Sequence, residues 1–241
     1  MAEQEKAPVQ NVGEDRLVLG IDTCGPSGSV ALGRLTNDKV EVLGQTELAG
    51  RSYSATLVMA VSELLTRAAT TVKRLGAIVV VNGPGSFTGV RVGLSAAKGL
   101  AEPTGIPVVA VSRLAVLALK AAVESAALDA HRHEVFLRIG SAGGSAQEML
   151  AGAEDLTGIT APAGRVAVCD EAAEELLRQA WPGAGFVRVV APMAADALAL
   201  AVPRIVAGEF EDLALLDGHY LRRSDAEIFG EKAAARAAES Q

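Results

Sequence analysis

The sequence predicts an α/β fold in which mixed sheets are flanked by helices and arranged in two lobes. Short β-branched runs alternate with helical periodicity along most of the chain, which is the pattern of α/β proteins. The first three apolar runs, at 17–22, 29–33 and 39–47, are separated only by turn residues. Strands joined so closely pair antiparallel, whereas the later strands have helices between them. Both kinds of pairing should therefore occur in one sheet.

Helices and strands alternate through the rest of the chain. The first lobe continues with a helix at 54–69, a strand at 77–81, a helix at 88–102 and a strand at 107–111. Ser112 then caps a helix to about 125, followed by strands at 126–130, 134–139, 165–169 and 186–190 and helices at 171–180 and 194–207. Residues 140–160 are rich in glycine and alanine and give no clear element.

These elements divide the chain into four segments. They are a disordered N-terminal tail (1–16), a first lobe (17–111), a smaller second lobe (112–223) and an Ala- and charge-rich C-terminal tail of helical composition (224–241).

The composition argues against several classes of function. A formal charge of −7 makes the chain a poor polyanion binder, because Lys and Arg supply most of the affinity for phosphates. If the protein serves nucleic-acid chemistry, a partner should supply the basic surface. No apolar run reaches the roughly 18 residues that a membrane span requires, and the polar N-terminus lacks the features of a signal peptide. We therefore expect a cytoplasmic protein that does not bind membranes.

A glycine-rich turn joins the strand at 77–81 to the helix at 88–102. The residues of this turn that are candidates to cradle a phosphate are Gly83, Gly85, Ser86, Thr88 and Gly89. Backbone N–H groups at a helix N-terminus favour an anion. A P-loop would need a lysine where the chain has Val90, and a Rossmann loop would need its third glycine one residue earlier. The turn is either a phosphate site of another kind or a tight turn that packs the helix closely.

A carboxylate ends the first predicted strand. Asp22 and Thr23 come directly before the small-residue hairpin Gly25-Pro-Ser-Gly28. Actin-like and sugar-kinase-like ATPases hold a nucleotide and its Mg²⁺ with such a hairpin, in which Asp22 could contact a metal-bound water and Thr23 or Ser27 a phosphate. An ordinary strand end followed by a turn fits the same residues.

The helix at 88–102 is apolar on almost every side, so it must be covered on more than one side. One side should face the sheet, and the helix at 54–69 should cover another. The residues of these two helices that we expect at a partner interface are Leu57, Val61, Leu64, Gly89, Val92, Gly93, Ala96 and Ala97. Either both helices are buried within one chain, or an apolar face remains for a second subunit.

Four stretches carry a family resemblance. They are Val79-Val-Val-Asn-Gly-Pro-Gly-Ser-Phe-Thr-Gly-Val-Arg-Val-Gly-Leu-Ser-Ala-Ala-Lys-Gly-Leu-Ala101 with Gly105-Ile-Pro-Val-Val-Ala-Val-Ser112, Leu19-Gly-Ile-Asp-Thr23 with Ser29-Val-Ala-Leu32, Leu128-Asp-Ala-His-Arg-His-Glu-Val-Phe136, and Tyr220-Leu-Arg-Arg223. In this order and spacing the chain resembles the TsaB family, also called YeaZ, from about residue 17 to 223.

The resemblance implies an actin-like, two-lobed fold of the kind shared by actin, heat-shock ATPases and sugar kinases. It implies a role in forming N6-threonylcarbamoyladenosine at position 37 of tRNAs that read ANN codons. In that family a paralogous TsaD-type transferase performs the transfer. The TsaB subunit binds this transferase through the two helices described above, and a TsaE-type ATPase joins the assembly.

Further expectations concern ligands and assembly. tRNA would meet this chain only indirectly through the complex, and ATP or ADP with Mg²⁺ would bind at the junction with the partner. An exposed apolar helix pair can also cover itself by two-fold symmetry, so the chain alone would form a homodimer.

No residue set for catalysis is evident in the sequence. The three histidines lack the i, i+4 spacing of a helical metal site, and no carboxylate pair or Ser/His/Asp set can be argued. Tyr53 stands where many TsaB-family members have a histidine. We therefore expect a non-catalytic scaffold with no metal or cofactor of its own. The alternative is an active actin-like ATPase or kinase that uses Asp22, Thr23 and the loop at 83–89.

Overall fold

Two five-stranded sheets form the centre of the protein in a computed structural model that describes residues 15–50, 52–141 and 144–222. The first sheet contains β1 (Arg16–Asp22), β2 (Ser27–Thr36), β3 (Lys39–Ala49), β4 (Leu75–Val81) and β5 (Val108–Val111). The second contains β6 (Ser125–Asp129), β7 (Glu134–Ile139), β8 (Gln147–Gly152), β9 (Val166–Val168) and β10 (Phe186–Arg188). The helices are α1 (Tyr53–Arg67), α2 (Phe87–Ala101), α3 (Arg113–Lys120), α4 (Ala153–Gly158), α5 (Glu171–Ala180) and α6 (Ala194–Ala207).

The two sheets repeat one topology. The first has the order β3-β2-β1-β4-β5, and the second, taken from its far edge, has the order β8-β7-β6-β9-β10. In each, three consecutive strands form an antiparallel meander, and two further strands add in parallel beside the first of the three. The mixed sheets, the flanking helices and the actin-like two-lobed class are therefore confirmed.

Helices cover both faces of the first sheet. A side chain at Gly20 would meet the backbone of Ala194 in α6, while Ile21 on the opposite face lies near α2. α1 packs beside α2, over β2 and β3. Strands buried on both faces read as continuous apolar runs, which is why β1 and β4 were easy to predict.

α6 corrects the predicted division at residue 112. Its sequence follows the second sheet, and the predicted second lobe, 112–223, includes it. In the structure α6 packs across all five strands of the first sheet, with the amide of Ala194 donating to Ser29 Oγ at 2.8 Å. Helical periodicity reveals an apolar face but not which sheet that face will cover.

Two elements of the second lobe differ from the prediction. α3 ends at Lys120 rather than near residue 125, and Ser125 already begins β6. Ala122 adopts φ of 52°, which stops the helix, whereas the alanines that follow it favour helix in isolation. β8 and α4 lie within residues 140–160, where no element was predicted, because Gln147-Glu-Met-Leu-Ala-Gly152 contains no β-branched residue.

The predicted tails fall almost entirely outside the described residues, which begin at Asp15 and end at Arg222. Among the helices of the described ranges, none combines the length and the apolar character needed to cross a bilayer.

Candidate functional site

The glycine loop packs directly on the end of β1. A Cβ atom added at Gly85 would lie 2.2 Å from the carbonyl oxygen of Cys24, and one added at Gly89 would lie 1.9 Å from that of Thr23. The amide of Ser86 donates to the Cys24 carbonyl at 2.8 Å. These contacts leave no room for side chains, so the two glycines serve a close backbone approach.

The other loop residues have local roles. Gly83 has a φ of +118°, which residues with side chains rarely adopt, and its carbonyl accepts the amide of Arg113 at 2.7 Å. Ser86 Oγ accepts the amide of Gly89 at 3.2 Å and so caps α2, while Thr88 in the first turn is exposed. The loop therefore sets the position of α2 on the sheet, as the tight-turn interpretation requires.

The hydroxyl of Thr23 is already engaged. The side chain is fully buried, and Thr23 Oγ1 donates to the carbonyl oxygen of Gly89 at 2.6 Å. A hydroxyl that bonds the first turn of α2 in the interior does not face a bound phosphate.

Asp22 is buried opposite a cation of the chain itself. Its side chain is 2% exposed, it accepts the amide of Cys24 at 2.9 Å, and its Oδ2 lies 3.8 Å from Nε of the buried Arg113. Burial raises the pKa of the Asp22 carboxyl, and the Arg113 charge and the Cys24 amide only partly oppose this. Arg113 begins α3, so the ion pair joins the two lobes.

Arg113 and Tyr53 also fill the space in front of the hairpin. A Cβ atom added at Gly25 would lie 2.4 Å from an Nη atom of Arg113, and Tyr53 donates its hydroxyl to the Gly25 carbonyl at 2.8 Å. Burial raises the pKa of that hydroxyl to about 12. With Asp22 paired and Thr23 bonded internally, the residues at this hairpin do not fit a nucleotide with its Mg²⁺.

The predicted helix–helix face divides into a buried and an accessible part. Leu57, Val61 and Leu64 lie in the core of the first lobe, so assigning them to a partner face is corrected. Gly93 and Ala97 are buried, and a Cβ atom at Gly93 would lie 2.5 Å from Thr23 Oγ1 at the end of β1. Apolar periodicity first detects the side of a helix that packs on its own sheet, which explains the error.

The accessible part carries two apolar side chains that the prediction missed. On the outer side of α1, Val58 is 69% and Met59 is 63% exposed. On the neighbouring α2, Val92 and Ala96 are half-buried. We call these four residues the outer face. The sequence did contain a signal for this face. Val58 and Met59 are apolar, whereas Ser54, Ser62 and Glu63, one helical turn away on the same exposed side of α1, are polar.

A polar network also crosses between the lobes, lining a cleft of about 590 Å³. The nearly buried carboxylate of Glu148 accepts Ser112 Oγ at 2.7 Å and Arg138 Nη1 at 2.9 Å, and lies 2.9 Å from His219 Nε2. Burial raises the pKa of Glu148, but the bonds from His219, Ser112 and Arg138 together hold it below its ordinary value. Sequence reasoning did not find this set, because its members are far apart in the chain.

The order of these groups does not suit nucleophilic catalysis. In a Ser-His-acid triad the imidazole lies between hydroxyl and carboxylate and takes the proton from the hydroxyl. Here the Glu148 carboxylate lies between Ser112 and His219. No group of three or more His, Cys, Asp or Glu side chains within the described ranges is arranged to hold a metal ion.

Comparison with known proteins places the chain in a family. A family model described as "TsaD: tRNA N6-adenosine threonylcarbamoyltransferase" matches residues 44–206. The chain belongs to this family, in its TsaB/YeaZ group. The TsaB group is represented among solved structures by "YeaZ from Pseudomonas aeruginosa", with a TM-score of 0.65 and 26% identity over 86% of this chain and 100% of that chain.

Two curated relatives carry the name "tRNA threonylcarbamoyladenosine biosynthesis protein TsaB". The one from Escherichia coli (strain K12) is 36% identical over 125 residues, which are 49% of this chain and 52% of that protein. The one from Bacillus subtilis (strain 168) is 37% identical over 123 residues, again 49% and 52%. The chain thus spans about half the length of the curated TsaB relatives it matches.

Proposed function

We propose that this chain is a non-catalytic scaffold subunit for N6-threonylcarbamoyladenosine formation at position 37 of tRNAs that read ANN codons. It binds a TsaD-type transferase through the outer face of α1 and α2. The observation that carries this proposal is the exposure of Val58 and Met59 on a helix whose other side is already buried.

The energetics favour a partner on this face. Burying an exposed valine or methionine side chain against a partner contributes about 1.5–3 kcal/mol. Val92 and Ala96 add half-buried apolar surface on α2, which packs beside α1. The named TsaB relatives and the match to the transferase family support a TsaD-type protein as the occupant.

Catalytic silence is supported by the state of the polar groups. Asp22 and Thr23 are both engaged within the chain, and the carboxylate of Glu148 separates Ser112 from His219. The glycine loop is packed on β1 rather than open to a ligand. These contacts weigh against the alternative of an active actin-like ATPase or kinase working at this hairpin.

The proposal includes the wider assembly. A TsaE-type ATPase joins the complex, ATP or ADP with Mg²⁺ binds at the junction with the transferase, and the complex works in the cytoplasm. Without the transferase, two copies of the chain cover their outer faces by forming a homodimer.

Co-purification with a TsaD-type transferase tests the proposal. Val58→Glu with Met59→Glu should weaken binding about 100-fold, because two desolvated contacts worth about 1.4 kcal/mol or more each are lost and two charges are buried. Val190→Glu, at a valine that is 74% exposed after β10, is the matched control and should bind normally. Thermal melting checks that all variants fold.

Unchanged binding of the double variant would refute the outer face as the docking site. Calorimetry with Mg-ATP on the isolated chain addresses catalytic silence separately. Tight binding that Asp22→Asn abolishes would favour the ATPase alternative.

A further inference from the structure

A groove of about 530 Å³ lies between α2 and the C-terminal segment of the described chain. It is separate from the Asp22 hairpin and from the Glu148 cleft, since it shares no polar residue with the first and only Leu216 and Asp217 with the second. The side chains that give it a chemical character are Phe87, Arg91, Ser95, Lys98, Tyr220 and Arg222.

A stacked aromatic pair forms one wall of this groove. The rings of Phe87 and Tyr220 have centroids 4.8 Å apart and are inclined by 8°. The guanidinium carbon of Arg91 lies 5.8 Å from one centroid and 5.9 Å from the other. Both distances are within the range of a cation–π contact, so the Arg91 cation lies against the aromatic pair.

The groove is basic in an acidic protein. Arg91 and Lys98 are the only charged residues of α2, whereas the whole chain has a formal charge of −7. Neither forms an ion pair with another residue of the described chain, while Arg222 is paired with Glu134. Arg91 and Lys98 are two turns apart on the same side of α2, about 10.5 Å along the axis. Asp217 is the one carboxylate in the lining.

α2 therefore has three distinct sides. Gly93 and Ala97 face the sheet, Val92 and Ala96 belong to the outer face, and Arg91 and Lys98 face the groove. A ligand in the groove would lie next to a partner on the outer face without displacing it.

We propose that this groove binds a single-stranded segment of RNA. Phosphates contact Arg91 and Lys98, and an unpaired base packs against the aromatic wall of Phe87 and Tyr220. Rows of cations beside aromatic rings are how proteins hold single strands, because every base offers a flat face. An acidic peptide would use the cations but not the aromatic wall. The inference rests on the proposed function only in taking tRNA as the natural source of the strand, and it replaces the expected indirect contact with tRNA by a direct one.

Binding of a fluorescent 12-nucleotide single-stranded RNA and of an unmodified tRNA transcript to the full chain tests this. Arg91→Ala with Lys98→Ala should weaken both about 10-fold near 100 mM salt. It should also reduce the slope of log K against log salt by about 1.4, since each phosphate contact contributes about 0.7. Tyr220→Leu should weaken binding without changing that slope, and Tyr220→Phe should restore it.

Lys73→Ala with Arg74→Ala is the matched control. Both are exposed cations in the short 3₁₀ turn before β4, outside the groove, so their loss removes the same charge and should change binding less than about 2-fold. Equal weakening by the two double variants would mean nonspecific attraction and would overturn the proposal.

Two competitors distinguish other occupants. Displacement of RNA by ATP at equal nucleotide concentration would identify a mononucleotide pocket instead, and displacement by poly-glutamate would identify a peptide site. Either result overturns the proposal.

Binding of Arg91→Ala with Lys98→Ala to the transferase is measured in parallel. Retained transferase binding with unchanged RNA binding would refute this inference and leave the proposed function standing.

Discussion

The Asp22 hairpin and the outer face of α1 and α2 lie in the same lobe but meet solvent in opposite ways. At the hairpin, Asp22 and Thr23 are buried and bonded within the chain, although the sequence makes them candidates for holding a nucleotide. On the outer face, Val58 and Met59 are apolar and exposed. Polar groups that are paired within the chain suit a rigid body, and exposed apolar surface suits a contact made with something else.

The largest expected effect concerns the buried ion pair. Arg113→Ala should lower the free energy of unfolding by about 3–5 kcal/mol at pH 7, because it leaves the Asp22 carboxylate buried without its cation. Urea denaturation measures this. Arg113→Met with Asp22→Asn should recover most of the loss, since no charge is then left unpaired.

A loss below about 1 kcal/mol for Arg113→Ala would break the comparison. It would mean that the Asp22 carboxylate is solvated like a surface group. The space in front of the hairpin would then have to be considered open to a ligand.

The next effect separates the two sides of α1. Leu57→Ala should cost about 2–5 kcal/mol, because it empties part of the first-lobe core. Val58→Ala, one residue later, should change stability by less than about 0.5 kcal/mol. Both values come from the same denaturation assay. Equal losses would show that α1 buries more of its surface than its exposure suggests.

The smallest effect concerns pH and the network between the lobes. The folded-state pKa of Glu148 is below its ordinary value of 4.5, so the stability it provides is present above that value and is lost as pH falls through the folded pKa. Glu148→Gln should cost on the order of 1 kcal/mol at pH 7, as for one charge-assisted hydrogen bond.

The difference between wild type and Glu148→Gln should shrink as the pH is lowered below 4.5. Unfolding curves between neutral and acid pH measure it. A difference that stays constant down to acid pH would mean that the carboxylate charge is not what holds the two lobes together there.

The local elements could largely be predicted from the sequence. α5 and α6 have the predicted bounds, and the opening meander follows from short turns between apolar runs. The placement of α6 and the ion pair at the hairpin depended on long-range packing. The sheet that α6 covers and the meeting of Arg113 with Asp22 are decided by residues far apart in the chain.

The candidate site shows the same limit. Periodicity found both helices, but it selected Leu57 and its core-facing neighbours, which pack on the chain's own sheet, over Val58 and Met59. An apolar residue on the otherwise polar side of a helix was a better signal for a contact surface than apolar periodicity. β8 escaped prediction because its middle residues, Met149 and Leu150, favour helix as readily as strand.

The return of α6 to the first sheet has a consequence for synthesis. β5 is complete at Val111, yet α6, which covers one face of that sheet, begins only at Ala194. At ribosomal speeds of about 5–20 residues per second, the apolar face around Gly20 stays uncovered for roughly 4–17 s before α6 is synthesised. During this interval the apolar face of the nascent first lobe is exposed to solvent and prone to aggregation. This is also the period in which chaperones have the longest time to bind it.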